Sequence, residues 1–148
     1  MVQLNQKETM LLKDLKSHEE LCVKKYGKAA NETQDQVLKQ LFTQLGQTEQ
    51  QHLNTVNQII GGQIPNMGTQ SGSQKMTDLK SNTASQADFD LCKDLLNTEK
   101  YVSATYNTAI FEFTNPQIRS ILNHIQKEEQ EHGEQIYYYL QQNGGYQQ

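Results

Sequence analysis

Two short stretches of this 148-residue chain place a histidine three positions after a glutamate: Glu49-Gln50-Gln51-His52 and Glu129-Gln130-Glu131-His132. On a helix that separation puts the two side chains about 60° apart, so both can reach one point. Each stretch is preceded, thirty residues upstream, by a further glutamate, Glu19 and Glu99. Carboxylate oxygen and imidazole nitrogen are the ligands that iron or manganese takes, and zinc could occupy the same set. Gathered together, the six residues would bind two divalent cations. Four carboxylates carry four negative charges, two such ions carry four positive ones, and neutral imidazoles complete the coordination. Buried without that compensation, four carboxylates would lose hydration and repel one another.

Four periodic stretches can carry these residues. Helix 1 is expected from Asn5 to Asn31, with Asn5 and Glu8 spaced as a capping box. Helix 2 is expected from near Asp35 to Ile60, stopped by Gly61-Gly62. Ser85 with Asp88 opens helix 3, which runs to about Phe113. Asn115-Pro116 starts helix 4, an N-cap followed by proline at the first helical position, and the helix ends near Asn143. Short loops make helices 1 and 2, and helices 3 and 4, antiparallel hairpins. The connection 61–84 is rich in Gly, Ser, Thr, Asn and Gln. Extended, it reaches about 80 Å at ~3.3 Å per residue, whereas a helix of about 26 residues is only about 39 Å long. It can therefore cross the full length of a bundle, and residues 144–148 are expected to form a flexible tail.

Sliding the chain along itself by 80 positions superimposes the hairpins without a gap. Leu15, Glu19, Tyr26, Glu49, Gln50 and His52 then meet identical residues at Leu95, Glu99, Tyr106, Glu129, Gln130 and His132. Glu20 competes with Glu19 as the helix 1 ligand, but only Glu19 pairs with Glu99 at this offset. The inward seams read Leu12, Leu15, Glu19, Cys22, Tyr26; Leu38, Leu41, Leu45, Glu49, His52, Val56, Ile59; Cys92, Leu95, Glu99, Val102, Tyr106; and Ile118, Ile121, Ile125, Glu129, His132, Ile136, Tyr139. Every apolar seam is interrupted once, by acid or by acid and histidine. Tyr26 and Tyr106 lie two turns beyond a seam glutamate, positions from which a phenol could approach the metals or donate an electron. His18 and His124 fall off the seams and are expected at the surface, and Glu128, Glu131 and Glu134 are expected to form a solvated acidic face.

Composition narrows the function classes. With 34% hydrophobic residues and a mean hydropathy of -0.81, the apolar side chains must be concentrated in narrow helical stripes. The 22 Gln are compatible with long helices. A net charge of -4 gives no footprint for nucleic acid or anionic membrane. The start, Met1 to Lys7, lacks the apolar stretch of a signal peptide, so synthesis in the cytoplasm is expected. Cys22 and Cys92 are read as buried free thiols.

These hairpins and their long crossover resemble the ferritin-like superfamily and, more closely, the spore coat protein F (coat-F domain) family. The likeness is clearest in Leu91 to Tyr106, Asn115 to Ile125 and Glu128 to Tyr139, and all six ligand positions match. The resemblance implies an all-α, ferritin-like four-helix bundle of two antiparallel hairpins joined by a long crossover, residues 1–148 forming one domain. It implies a place in the spore coat with other coat proteins as partners, while the Tyr137-Tyr138-Tyr139 run and the tail are read as a contact surface for self-association, a homo-oligomer expected to be a dimer. It also implies a dinuclear iron or manganese centre acting on O2 or peroxide, for which the spacing offers Tyr26 or Tyr106 as redox partners, packing around a hydrogen-bonded hydroxyl being their alternative role. A structural coat protein whose metals only stabilise the bundle is the alternative. No fifth helix follows helix 4 and no Cys-x-x-Cys is present, so neither a ferritin cage nor a rubredoxin-type electron donor is expected.

Overall fold

In the computed structural model, which describes residues 1–66 and 75–146, the chain forms α1 (Gln6–Glu32), α2 (Gln36–Ile60), α3 (Gln86–Glu112) and α4 (Pro116–Gln142). No strand occurs among the described residues. The helix starts are built by side chains that satisfy the free N–H groups of the first turn. Asn5 and Glu8 form a reciprocal capping box on α1, and Ser85 and Asp88 form one on α3. Asp35 caps α2, while Asn115 caps α4 ahead of Pro116. Both hairpins end in a glycine-dependent stop. Gly62 and Gly144 have φ of 84° and 79°, and the residue after each donates its N–H back to Gln58 O and Leu140 O, at 3.0 and 2.8 Å. Such a left-handed residue carries no penalty only as glycine.

The contacts between elements fix the topology. The Val2 N–H donates to Gly62 O at 2.9 Å, so the start of α1 lies beside the end of α2. At the other end, Thr33 after α1 donates to Asp88 at the start of α3. There too the Ser81 N–H donates to Asn143 Oδ1 just after α4, at 2.8 Å. The connection therefore leaves at one end of the bundle and arrives at the other, a long crossover. Its middle, 67–74, lies outside the described residues. Its final stretch is docked along α4. The N–H groups of Met76 and Leu79 donate to Gln135 and Gln142, and Leu79 is fully buried. Of the expected tail, Gly145 is buried and Tyr146 sits edge-on to Tyr137 at 4.8 Å, while Gln147 and Gln148 lie outside the described residues.

All the seam residues named above are buried. They make two apolar cores. One holds Leu12, Leu15, Ile59, Tyr106, Ile118 and Ile125; the other holds Tyr26, Leu38, Leu45, Leu95, Ile136 and Tyr139. Between them lies a polar layer to which each helix contributes.

Candidate metal centre

The layer consists of Glu19, Glu49, His52, Glu99, Glu129 and His132, none more than 3% exposed. Neighbouring Glu20 is exposed, so α1 turns Glu19 inward. Two overlapping sets emerge, in each of which the ligand atoms all lie within 4.8 Å of one another: Glu19, Glu49, His52 and Glu129; and Glu49, Glu99, Glu129 and His132. Glu49 and Glu129 belong to both sets. Both could serve the two cation positions, one of which Glu19 and His52 would complete and the other Glu99 and His132.

Both imidazoles turn Nδ1 toward the layer. His52 Nδ1 is 3.1 Å from Glu129 Oε1, 3.3 Å from Glu49 Oε2 and 3.8 Å from Glu19 Oε2. His132 Nδ1 is 2.8 Å from Glu49 Oε1 and 3.4 Å from Glu99 Oε1. The two rings stack with centroids 5.9 Å apart. Three buried carboxylate oxygens, Glu19 Oε2, Glu99 Oε2 and Glu129 Oε2, have no hydrogen-bond partner. Buried polar atoms are nearly always paired, so three orphan oxygens in one layer fit a site made for cations.

Tyr26 and Tyr106 reach the layer by crossed pairing. Tyr26 on α1 donates its hydroxyl to Glu99 on α3, and Tyr106 on α3 donates to Glu19 on α1, both at 2.6 Å. Helical side chains lean toward the N-terminus of their own helix, so each phenol, two turns past its seam glutamate, tilts back to the layer. Because α1 and α3 run in opposite directions, the phenols approach from opposite sides. Gly46 lets α2 come close at Tyr26: a Cβ there would stand 3.2 Å from the Tyr26 Cβ.

The electrostatics of so many acids follow from burial. Desolvation, then the neighbouring carboxylates, push Glu49 and Glu129 well above the usual carboxylate range. Glu99 resists the same burial because the adjacent Glu129 carboxyl, with hydrogen bonds from His132 and Tyr26, favours its charged form and holds it down to about 2. For His52, burial disfavours the cation, but bonds to Glu128 and Glu129 outweigh it and hold the ring up to about 10. Desolvation and the adjacent acids keep the Tyr26, Tyr106 and Cys22 protons firmly in place. As protein groups alone, the layer is made tolerable by protons; two divalent cations would do the same with four positive charges.

One residue escaped the reading of periodicity. Glu128, expected on a solvated face, turns its carboxylate inward. Its Oε1 lies 2.9 Å from His52 Nε2 and 3.2 Å from His124 Nε2, and its side chain is 15% exposed. The i, i+4 spacing of His124 and Glu128 was the available signal. His18 lies outside the centre, edge-on to Tyr101. Cys22 and Cys92 are buried free thiols, as expected.

No curated protein and no solved structure matches the chain. The Coat F domain family does match, over residues 87–148. That span holds α3 and α4 and, with them, Glu99, Glu129 and His132. The first hairpin, outside the match, is tied to it by the 80-residue repeat. Over residues 87–148, then, this chain matches the Coat F domain family.

Proposed function

We propose that this chain is a ferritin-like, spore-coat-associated protein that binds two divalent metal ions, iron first and manganese next, and uses them in oxidase-, peroxidase- or catalase-like chemistry on O2 or peroxide. The observation that carries this reading is the convergence of four buried carboxylates and two imidazoles from all four helices, with three carboxylate oxygens left unpartnered. A bound pair of redox-active ions would exchange electrons with O2 or peroxide, peroxide itself serving as both oxidant and reductant in the catalase-like case. The chain's own part is to hold Glu49 and Glu129 between the two positions, to fix Glu19 and Glu99 through the tyrosine hydroxyls, and to exclude bulk water. Burial of every ligand limits substrates to molecules about the size of O2 or peroxide. Tyr26 and Tyr106, in contact with ligand carboxylates, are the proposed redox partners.

A second reading, a structural coat protein with the metals as a rivet, is supported by the same layer, because it ties all four helices together. Elemental analysis of protein purified without added metal, followed by optical spectra under peroxide, separates the two. Turnover or a peroxide-dependent absorption change supports the enzyme, and inert bound metal supports the rivet. Absence of bound metal, with none taken up on addition, removes both. An association with other coat proteins and a homodimer belong to either reading, and light scattering tests the dimer.

A further inference from the structure

We propose that the two cation positions are inequivalent, and that the one formed with Glu19 and His52 fills before the one formed with Glu99 and His132, because Glu128 braces His52 from outside the layer. This rests on the reading that the six residues bind two ions. The six ligands are related in pairs by the 80-residue offset, so they alone give no reason for the positions to differ. The difference lies one residue away. The position related to Glu128 is Thr48, whose hydroxyl donates to the backbone of its own helix at Gln44 O, 3.4 Å away.

Glu128 Oε1 accepts from His52 Nε2 at 2.9 Å, and His124 Nε2 lies 3.2 Å from the same oxygen. Such a bond fixes the ring with Nδ1 facing the layer. A carboxylate on its far side also makes the imidazole a stronger donor to a cation. Among the described residues, the carboxylates paired with His132 both meet its Nδ1, the nitrogen that would face the ion. His132 therefore has no corresponding carboxylate behind its ring.

Calorimetric titration of the metal-free full chain with MnCl2 tests this, alongside electron paramagnetic resonance at each addition. The parent is expected to bind in two resolved steps, the first giving the hyperfine spectrum of an isolated Mn2+ and the second a coupled pair. Glu128→Gln is expected to weaken the first step by about 10–100-fold, the usual effect of removing such an outer partner, and to leave the second nearly unchanged. Glu128→Asp, which withdraws the carboxylate from Nε2 at constant charge, is expected to give the same selective loss. A merely structural role would weaken both steps together. A single step in the parent, or equal weakening of both steps in variants that melt like the parent, would overturn the inequality and leave the site standing. No Mn2+ binding by the parent would overturn the reading beneath it.

Discussion

Glu49 and Glu129 are the side chains on which the charge of the centre turns, since each belongs to both ligand sets and each is pushed up by burial and by its acidic neighbours. An acid whose folded pKa is raised contributes stability below its ordinary value, here 4.5, and that contribution is lost as pH rises through the folded value. His52, raised from 6.5 to about 10, acts in the same direction at higher pH. Glu99 acts oppositely, but its contribution is lost only as pH falls from 4.5 toward about 2. In chelator, the melting temperature is therefore expected to fall as pH rises above 4.5, with His52 continuing the fall from 6.5 to about 10, as thermal scans would record. Cations compete with the same protons, so Mn2+ affinity should rise over that interval; a flat affinity would contradict the assignment. Tyr26→Phe leaves Glu99 Oε1 without the hydroxyl and is expected to cost about 1–3 kcal/mol in denaturant titrations, with Tyr106→Phe close to it. The six layer residues were legible in the sequence because each breaks an otherwise apolar seam at a repeated position. The crossed Tyr–Glu pairing was not, because a repeat aligns positions without saying which helix faces which. Glu128 was missed because helical periodicity gives the direction of the Cα–Cβ bond, whereas a long side chain can fold back to a buried imidazole.

At the scale of elements, caps and stops were the most legible features. Asn5 with Glu8, Ser85 with Asp88, Asn115-Pro116 and Gly61-Gly62 act where the sequence placed them, because each satisfies backbone groups within a few residues. The docking of the crossover was illegible: nothing in a Gly- and Ser-rich segment announces that Leu79 will be buried against α4. Asp35 gathers that end of the molecule. Its carboxylate caps α2 and accepts from Ser81, Thr83 and Tyr139, and these bonds outweigh the cost of burial and lower its pKa. Its contribution is thus present above 3.8 and lost as pH falls. Asp35→Ala removes a cap and leaves the buried Tyr139 hydroxyl without its acceptor, and is expected to cost about 2–4 kcal/mol. Hydrogen exchange should show residues 75–84 losing protection more than the centres of the helices. Uniform loss along the chain would contradict a role in holding the crossover.

Across the whole molecule, a polar layer divides one bundle into two apolar cores, an arrangement that sacrifices stability unless the layer does something. Glu49→Gln combined with Glu129→Gln is expected to leave the metal-free protein melting no lower than the parent, while abolishing any rise in melting temperature on adding Mn2+. A parent that gains nothing from Mn2+ would contradict the account as firmly as a variant that still does. No described helix is long and apolar enough to cross a membrane, and the match to the Coat F domain family over 87–148 suggests the spore coat as the setting. Diffraction from metal-loaded crystals, collected on both sides of the metal's absorption edge, decides whether the six side chains hold two ions. The expected result is a pair of anomalous peaks about 3.5–4 Å apart, flanked by Glu49 and Glu129, with Nδ1 of His52 beside one and of His132 beside the other. Metal-soaked crystals with no peak inside the layer, or with peaks only on the surface, would contradict it.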